Sequence, residues 1–187
     1  MTTLVYMMNV SLDGYVETPD HGLDWAVTDE ELLGWFGEHE RKASAFLYGR
    51  RLYETMAAYW PTYASDPAAT PAMLTFGEIW NAKPKVVFSS TLTEVAHNSR
   101  LVRGDPVEEL ARLRTEFDGD LHVGGPTLAA AFVRRDLVDG YRMIVHPVVL
   151  GAGTPFWPAL DRPIRLRLTG THRFTSGAIL LDYLRAG

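Results

Sequence analysis

The sequence predicts an α/β protein whose central sheet is mostly parallel and ends in an antiparallel hairpin. Short apolar runs of strand-forming residues alternate with helical segments along most of the chain, as in the strand–helix–strand units of a parallel sheet. Near the C-terminus, Ile164, Leu166 and Leu168 alternate with arginines, which is the period of a strand with one solvated face. The 187 residues fit one domain, predicted to span residues 1–187.

The first strand and the first helix are predicted from an apolar run and a capping motif. Residues 4–10 are apolar and rich in strand formers, and a turn-type Asp-Gly pair follows soon after them. Residues 28–42 place apolar side chains on one face of a helix. Thr28 and Glu31 have the spacing of a capping box, so we expect the helix to begin at Thr28 and interpret Glu31 as part of its cap.

The next two strands are both short and apolar. Residues 45–48 and 86–89 are predicted to be buried strands, because they are too short and too apolar for surface helices. Between them, the pattern predicts a helix over residues 51–58, a loop over residues 60–71 and a modest helix over residues 72–81.

The remaining elements continue the alternation. Asp105 precedes a proline and an acidic first turn, so a helix is predicted to start there and to end near residue 117. The pattern then predicts a strand at residues 121–123, a helix at residues 126–134 and a strand at residues 141–149. Two strands around a Ser-Gly turn complete the chain as the antiparallel hairpin.

Composition and charge exclude several classes of function. The 23 Asp and Glu outnumber the 18 Lys and Arg, so the chain, with a net charge of −5, is not expected to bind nucleic acid. The chain has no Cys, and its six His include no pair at helical ligand spacing, so we expect no metal site. A signal peptide and an apolar stretch of roughly 20 residues are both lacking, so we expect a cytoplasmic protein without a membrane partner.

Two turns that follow predicted strands have the residue types of a phosphate site. Gly49, Arg50 and Arg51 stand between a strand and a helix, where free backbone N–H groups attract anions and arginine suits phosphate oxygens. Residues 89–91 place the hydroxyl groups of two serines and a threonine after the next strand. An ordinary turn remains the competing interpretation of either segment taken alone.

Glycines mark two further junctions. Gly124 and Gly125 lie between a strand and the helix that Pro126 begins, which allows a pyrophosphate to approach the backbone. The spacing is not that of the Rossmann fingerprint, and a purely structural strand-to-helix turn competes with this interpretation. Gly151, after the strand at residues 141–149, also suits either close ligand approach or a simple loop.

The loop after the first strand combines polar, acidic and aromatic side chains. This combination can form one wall of a pocket for a planar heterocycle, although the Asp-Gly pair is also a turn signal and a tryptophan is often a core residue. His146 is interpreted as a packed histidine rather than as an acid or a base. The residues of the proposed wall are Asn9, Ser11, Asp13, Asp24 and Trp25.

Four motifs occur in a fixed order along the chain, and a fifth segment follows them. They are residues 11–15 (SLDGY), 48–54 (YGRRLYE), 87–92 (VFSSTL) and 123–128 (VGGPTL), followed by residues 146–153 (HPVVLGAG). With these motifs, the chain resembles the dihydrofolate reductase superfamily from about residue 3 to residue 185. It is most similar to the branch containing the reductase domain of the riboflavin-pathway deaminase–reductase, as a stand-alone member. The resemblance implies a dihydrofolate reductase-like three-layer fold.

The resemblance also implies a cofactor, NADPH rather than NADH, because arginine and hydroxyl groups suit a 2′-phosphate. The adenosine-side phosphates would be held by Gly49, Arg50, Arg51, Leu52, Ser89, Ser90 and Thr91. The pyrophosphate would meet Gly124, Gly125, Pro126, Thr127 and Leu128. Gly151 would lie near the nicotinamide, and the Gly124–Gly125 peptide is expected to be cis.

The implied function is an NADPH-dependent reductase that transfers hydride to a small heterocycle, pteridine-like or pyrimidine-like. Asn9, Ser11 and Trp25 would border this substrate, and Asp13 or Asp24 would relay the proton. Leu32 stands near the position where dihydrofolate reductases carry an acidic residue, so dihydrofolate itself is not the implied substrate. The alternative is a dinucleotide-binding sensor or degenerate paralogue without turnover. Apolar edge strands also make a homodimer an expectation.

Overall fold

Ten strands, five α-helices and one short 3-10 helix (Tyr63–Ser65) make up the structure, a computed structural model that describes residues 2–186. The strands are β1 (Leu4–Ser11), β2 (Tyr15–Glu17), β3 (Ala45–Gly49), β4 (Lys85–Phe88), β5 (Ser99–Val102), β6 (Leu121–Gly124), β7 (Gly140–His146), β8 (Thr154–Pro155), β9 (Leu166–Arg173) and β10 (Ile179–Arg185). The helices are α1 (Glu30–Lys42), α2 (Arg50–Tyr59), α3 (Pro71–Ala82), α4 (Pro106–Glu116) and α5 (Pro126–Val133).

Eight of the strands form one sheet in the order β5-β4-β3-β6-β1-β7-β10-β9. The strands from β5 to β7 are parallel to one another, whereas β10 pairs antiparallel with both β7 and β9. The predicted mostly parallel sheet with an antiparallel C-terminal hairpin is therefore confirmed. The two remaining strands, β2 and β8, pair antiparallel in a small separate sheet.

Helices cover both faces of the large sheet and so complete three layers. On one face, α4 and α5 contribute Leu110 and Phe132 to a core built on β1, β3 and β6. On the other face, Trp80 of α3 and Tyr53 of α2 pack with Phe46 of β3. Trp35 and Leu32 of α1 pack near the hairpin on this second face. No helix among residues 2–186 has both the length and the apolar composition needed to cross a membrane.

The start of α1 differs from the prediction. The helix begins one residue later than a Thr28 cap requires, and Asp29 is the N-cap, accepting a hydrogen bond from Leu32 N at 2.8 Å. Glu31 is therefore not the partner in a capping box. Its carboxylate accepts instead from Thr175 N at 2.8 Å and so joins α1 to the turn between β9 and β10. Thr28 and Asp29 could each act as the N-cap of this helix. The structure uses Asp29, and with this start of the helix Glu31 makes its contact with Thr175.

Three strands were not predicted, and one was predicted too long. The edge strand β5 is half exposed and has no apolar run, while β2 and β8 are too short to show a period. The strand predicted at residues 141–149 ends at His146, because Pro147 has no N–H with which to continue the ladder.

Two histidines make the stability of this fold depend on pH. Burial lowers the pKa of both His39 and His146 below the usual 6.5, so the folded state favours the neutral rings. The unfolded chain takes up protons on both below about pH 6.5, so stability is present above that pH and is lost as the pH falls. The slope is at most about 1.4 kcal/mol per pH unit for each histidine.

We therefore expect the midpoint of urea unfolding to decrease between about pH 7.5 and about pH 5.5. His39→Gln removes one of the two titrating rings and should make this decrease shallower. A midpoint that stays constant over the range in the native protein would contradict the assignment.

Candidate functional site

Three turns that follow parallel strands surround one cavity of about 710 Å³. They are the turn at residues 49–51 after β3, the turn at residues 89–91 after β4 and the turn at residues 125–128 after β6. The structure thus brings together the segments that the sequence assigned to a phosphate-binding site. The cavity has a volume in the range of about 300–1,000 Å³ that is usual for small-molecule and cofactor sites.

Two helix N-termini at this cavity lack a side-chain cap. The N-cap residues of α2 and α5 are Gly49 and Gly125, neither of which has a side chain that could accept from the first-turn N–H groups. The N–H of Gly125 is held only by the sulfur of Met8, at 3.3 Å, and thioether sulfur is a weak acceptor. Free N–H groups and the positive ends of two helix dipoles therefore face the cavity, which favours an anionic ligand.

The two glycines at the end of β6 are needed for different structural reasons. Gly125 has a φ of +91°, a conformation that side-chain-bearing residues rarely adopt. At Gly124, a Cβ atom would lie 2.5 Å from the Leu52 side chain, so this residue allows α2 to pack against the end of β6. The Gly124–Gly125 peptide is trans, so the expectation of a cis bond was wrong; the positive φ of Gly125 provides the turn instead.

Three arginines line the cavity. Arg50 is about half exposed and has a loose contact of 3.7 Å with Glu54 in the next turn of α2. Arg51 reaches Glu17 at 3.0 Å. Arg103, which the sequence analysis did not identify, donates to the carbonyl oxygen of Ser90 at 3.2 Å and so fixes the turn after β4.

A buried carboxylate on β2 was also missed by the sequence analysis. Glu17 accepts hydrogen bonds from Thr154 Oγ1 at 2.6 Å and from Arg51, and its carboxylate also contacts His21. Burial raises the pKa of Glu17, but the hydrogen bonds of Thr154 and His21 and the charge of Arg51 outweigh it, so the pKa lies below its usual value. The residues that line the cavity thus include three arginines and two glutamates.

Neighbouring strands separate at the carboxyl edge of the sheet beside this cavity. Pairing between β1 and β6 ends at Tyr6 and Val123, whereas pairing between β1 and β7 continues to Ser11 and His146. An opening therefore lies between the last residues of β1 and the turn after β6. Crevices at the carboxyl ends of parallel strands are the usual ligand sites of open α/β sheets.

Asp13, Ser11 and Gly151 lie outside the cavity and form a structural contact between two loops. The Asp13 carboxylate accepts from Ser11 Oγ and from Gly151 N, both at 2.7 Å, and from Leu150 N at 3.1 Å. The hydrogen bond of Ser11 is the main cause of a lowered pKa at Asp13, and the backbone hydrogen bonds of Gly151 and Leu150 add to it. The carboxyl group is therefore held in its charged form, which is the wrong state for donating a proton.

The other residues predicted to border a substrate are not among the residues that line the cavity, although Met8 and Leu23, close to them in the chain, are. Asn9 Oδ1 is 2.9 Å from Nε2 of His146, a contact that the sequence analysis did not anticipate. Trp25 meets the same histidine edge-on, with ring centroids 5.6 Å apart. Asp24 is exposed on the loop beside Trp25.

Comparisons with known proteins agree with this architecture. The family model described as "RibD C-terminal domain" matches residues 2–180. The uncharacterized protein YyaP of Bacillus subtilis (strain 168) is 29% identical over 184 residues, which cover 96% of this chain and 93% of that protein.

Two solved structures are similar to the whole chain. A putative riboflavin biosynthesis protein from Shewanella sp. PV-4 has a TM-score of 0.74 at 21% identity, covering 99% of both chains. Dihydrofolate reductase from Enterococcus faecalis, complexed with NADP(H) and RAB-propyl, has a TM-score of 0.67 at 15% identity, covering 99% of this chain and 97% of that one. The fold is therefore dihydrofolate reductase-like, a reductase-type fold, as the order of the motifs predicted.

Gly153 positions the strand that carries Glu17. Its φ is +148°, and a Cβ atom there would lie 2.0 Å from the carbonyl oxygen of Glu17. We expect Gly153→Ala to lower the free energy of unfolding by about 1–3 kcal/mol, as measured by urea denaturation.

The matched control is Gly34→Ala, in the interior of α1, where a Cβ atom meets open space. This change should raise the free energy of unfolding by about 0.5–1 kcal/mol. Equal effects of the two substitutions would show that the contact between β2 and the loop at Gly153 is not close.

Proposed function

The chain belongs to the RibD C-terminal domain family, and we propose on that basis that it is an NADPH-dependent reductase of a small heterocyclic substrate. The substrate class is pteridine-like or pyrimidine-like. The observation that carries the proposal is the convergence of three strand-following turns on one cavity with two uncapped helix N-termini.

The cavity fits an extended molecule with several phosphates. The uncapped N-termini of α2 and α5 suit the pyrophosphate, because their N–H groups are free or only weakly bonded and glycine leaves the backbone accessible. Arg50 and Arg51, at the start of α2, suit a further phosphate and lie near the hydroxyl groups of Ser89 and Thr91 around the cavity. That combination favours NADPH, with its 2′-phosphate, over NADH.

The residues that would hold the cofactor's adenosine end are those of the first two turns. They are Gly49, Arg50, Arg51, Leu52, Ser89, Ser90 and Thr91, with Arg103 supporting the second turn. Gly125, Pro126, Thr127 and Leu128 would hold the pyrophosphate, and Gly124 acts indirectly by accommodating Leu52. Relatives support this choice, since the similar dihydrofolate reductase is complexed with NADP(H).

The bound cofactor would supply the hydride, and the protein would supply binding, orientation and exclusion of water. Met8 and Leu23 line the cavity, and close to them in the chain are Asn9 and Trp25. A planar substrate bordered by these two residues would lie beside the reduced ring without entering the phosphate-binding part of the cavity. Asp13 would act by holding the loops together rather than by donating a proton.

The arginines at the start of α2 provide the test of cofactor choice. We expect Arg50→Ala and Arg51→Ala each to raise the Kd for NADPH by about tenfold or more, as expected for the loss of a charge-assisted contact, and to change the Kd for NADH little. Ligand fluorescence during titration gives both constants. Arg112→Ala, an exposed arginine on α4, is the control. Equal affinity for both nucleotides, unchanged in the variants, would remove the proposed phosphate site.

Turnover distinguishes an enzyme from a sensor that binds NADP(H) without chemistry. We expect the protein to oxidise NADPH in the presence of at least one member of a panel of pteridines and pyrimidines, followed at the absorbance band of the reduced cofactor. Binding of NADPH without oxidation by any member of the panel would favour the non-catalytic alternative.

A further inference from the structure

A buried histidine that the proposed function does not use lies beside Asn9 and Trp25. His146 is the last residue of β7 and is 2% exposed. Its Nε2 faces Oδ1 of Asn9 at 2.9 Å. An amide oxygen can only accept, so this contact assigns the hydrogen of the neutral ring to Nε2 and leaves Nδ1 to take up a second proton.

This histidine lies at the carboxyl edge of the sheet, where β7 flanks β1 on the side away from β6. Met8, which lines the cavity, and Asn9 are consecutive residues of β1, so their side chains point to opposite faces of the sheet. The pairing of β1 with β7 fixes His146 beyond the point where β1 and β6 have separated. A ring bound against the edge of β1 that β6 leaves unpaired would therefore approach Asn9, whose amide contacts His146.

Trp25 gives a second indication that this cluster meets a ligand. Its Nε1 atom is buried and has no hydrogen-bond partner in the part of the chain that the structure describes. An unpaired buried donor costs about 1–3 kcal/mol, and most such groups in proteins are paired. An acceptor nitrogen or oxygen of a heterocycle bound beside Trp25 would satisfy it.

We propose that His146 is the proton donor of the reduction and that Asn9 is the positioning residue that orients its ring. This inference rests on the proposed function. A bound NADPH would supply the hydride, with its electron pair, to a carbon of the substrate C=N bond and would be oxidised to NADP⁺. The imidazolium N–H bond of His146 would break as an N–H bond forms on the substrate nitrogen, and the neutral imidazole would regain its proton from water.

The electrostatic surroundings fix the direction of the pH dependence. Burial lowers the pKa of His146, and the negative charge of Asp29 at the start of α1 acts in the opposite direction. The contacts from β1 and from the loop are the neutral side chains of Asn9 and Trp25. Because the acid form is the donor, the rate should increase as the pH falls through the pKa of His146.

Asn9→Asp is the decisive variant, because it places a carboxylate against the ring and so raises the pKa of His146. NMR of histidine-labelled protein gives that pKa, and the signal is assigned by its loss in His146→Gln. The pH dependence of kcat is measured with NADPH and a 7,8-dihydropteridine as the probe. We expect the kinetic and NMR midpoints to coincide in the native protein and to move upward together, by about one pH unit, in Asn9→Asp.

His146→Gln should lower kcat by about 100-fold and abolish the increase of kcat at low pH, while leaving the Kd for NADPH unchanged. His172→Gln, at an exposed position of β9, is the control and should alter neither. A kinetic midpoint that stays in place in Asn9→Asp while the NMR midpoint moves would overturn the assignment. So would an increase of kcat at low pH that disappears in Asp24→Asn instead of in His146→Gln. Failure to bind NADPH, or to oxidise it with any probe, would overturn the proposed function and this inference with it.

Discussion

The site depends on the point at which β1 and β6 stop pairing. Beyond Tyr6 and Val123 the ladder between them ends, while β7 keeps β1 extended as far as Ser11. At the end of β6, Leu52 occupies the space that a side chain at Gly124 would need, so α2 packs closely against the last residue of the strand. The edge of β1 that this break leaves unpaired lies beside the cavity, which the N-termini of α2 and α5 reach from opposite faces of the sheet.

Much of this arrangement could be predicted from the sequence, because the decisive signals are local. Each short apolar strand ends at a residue that cannot continue it or that favours a turn, as at Gly49, Ser89 and Gly124. Parallel strands bring their carboxyl ends to the same edge. It follows that turns lying far apart along the chain can be expected at one site from their residue types and their order alone.

The residues that sequence analysis missed owe their positions to distant partners. Glu17 is on a three-residue strand, and its hydrogen bond with Thr154 joins positions 137 residues apart. No hydrophobic periodicity in the sequence indicates such a contact, because the sequences of both segments are typical of loops. Local rules also failed where two neighbours were equally suitable: Thr28 and Asp29 are both good caps, and the tertiary contact of Glu31 accompanies the choice of Asp29.

The ion pair between Arg51 and Glu17 has a consequence for how an anion is captured and let go. The guanidinium is already immobilised by a buried carboxylate 3.0 Å away, so an incoming phosphate loses little side-chain entropy in engaging it. That phosphate must, however, compete with the resident carboxylate for the same donors. For the proposed NADPH-dependent reductase, binding at Arg51 would therefore be an exchange of partners, which suits a nucleotide that has to depart after each turnover.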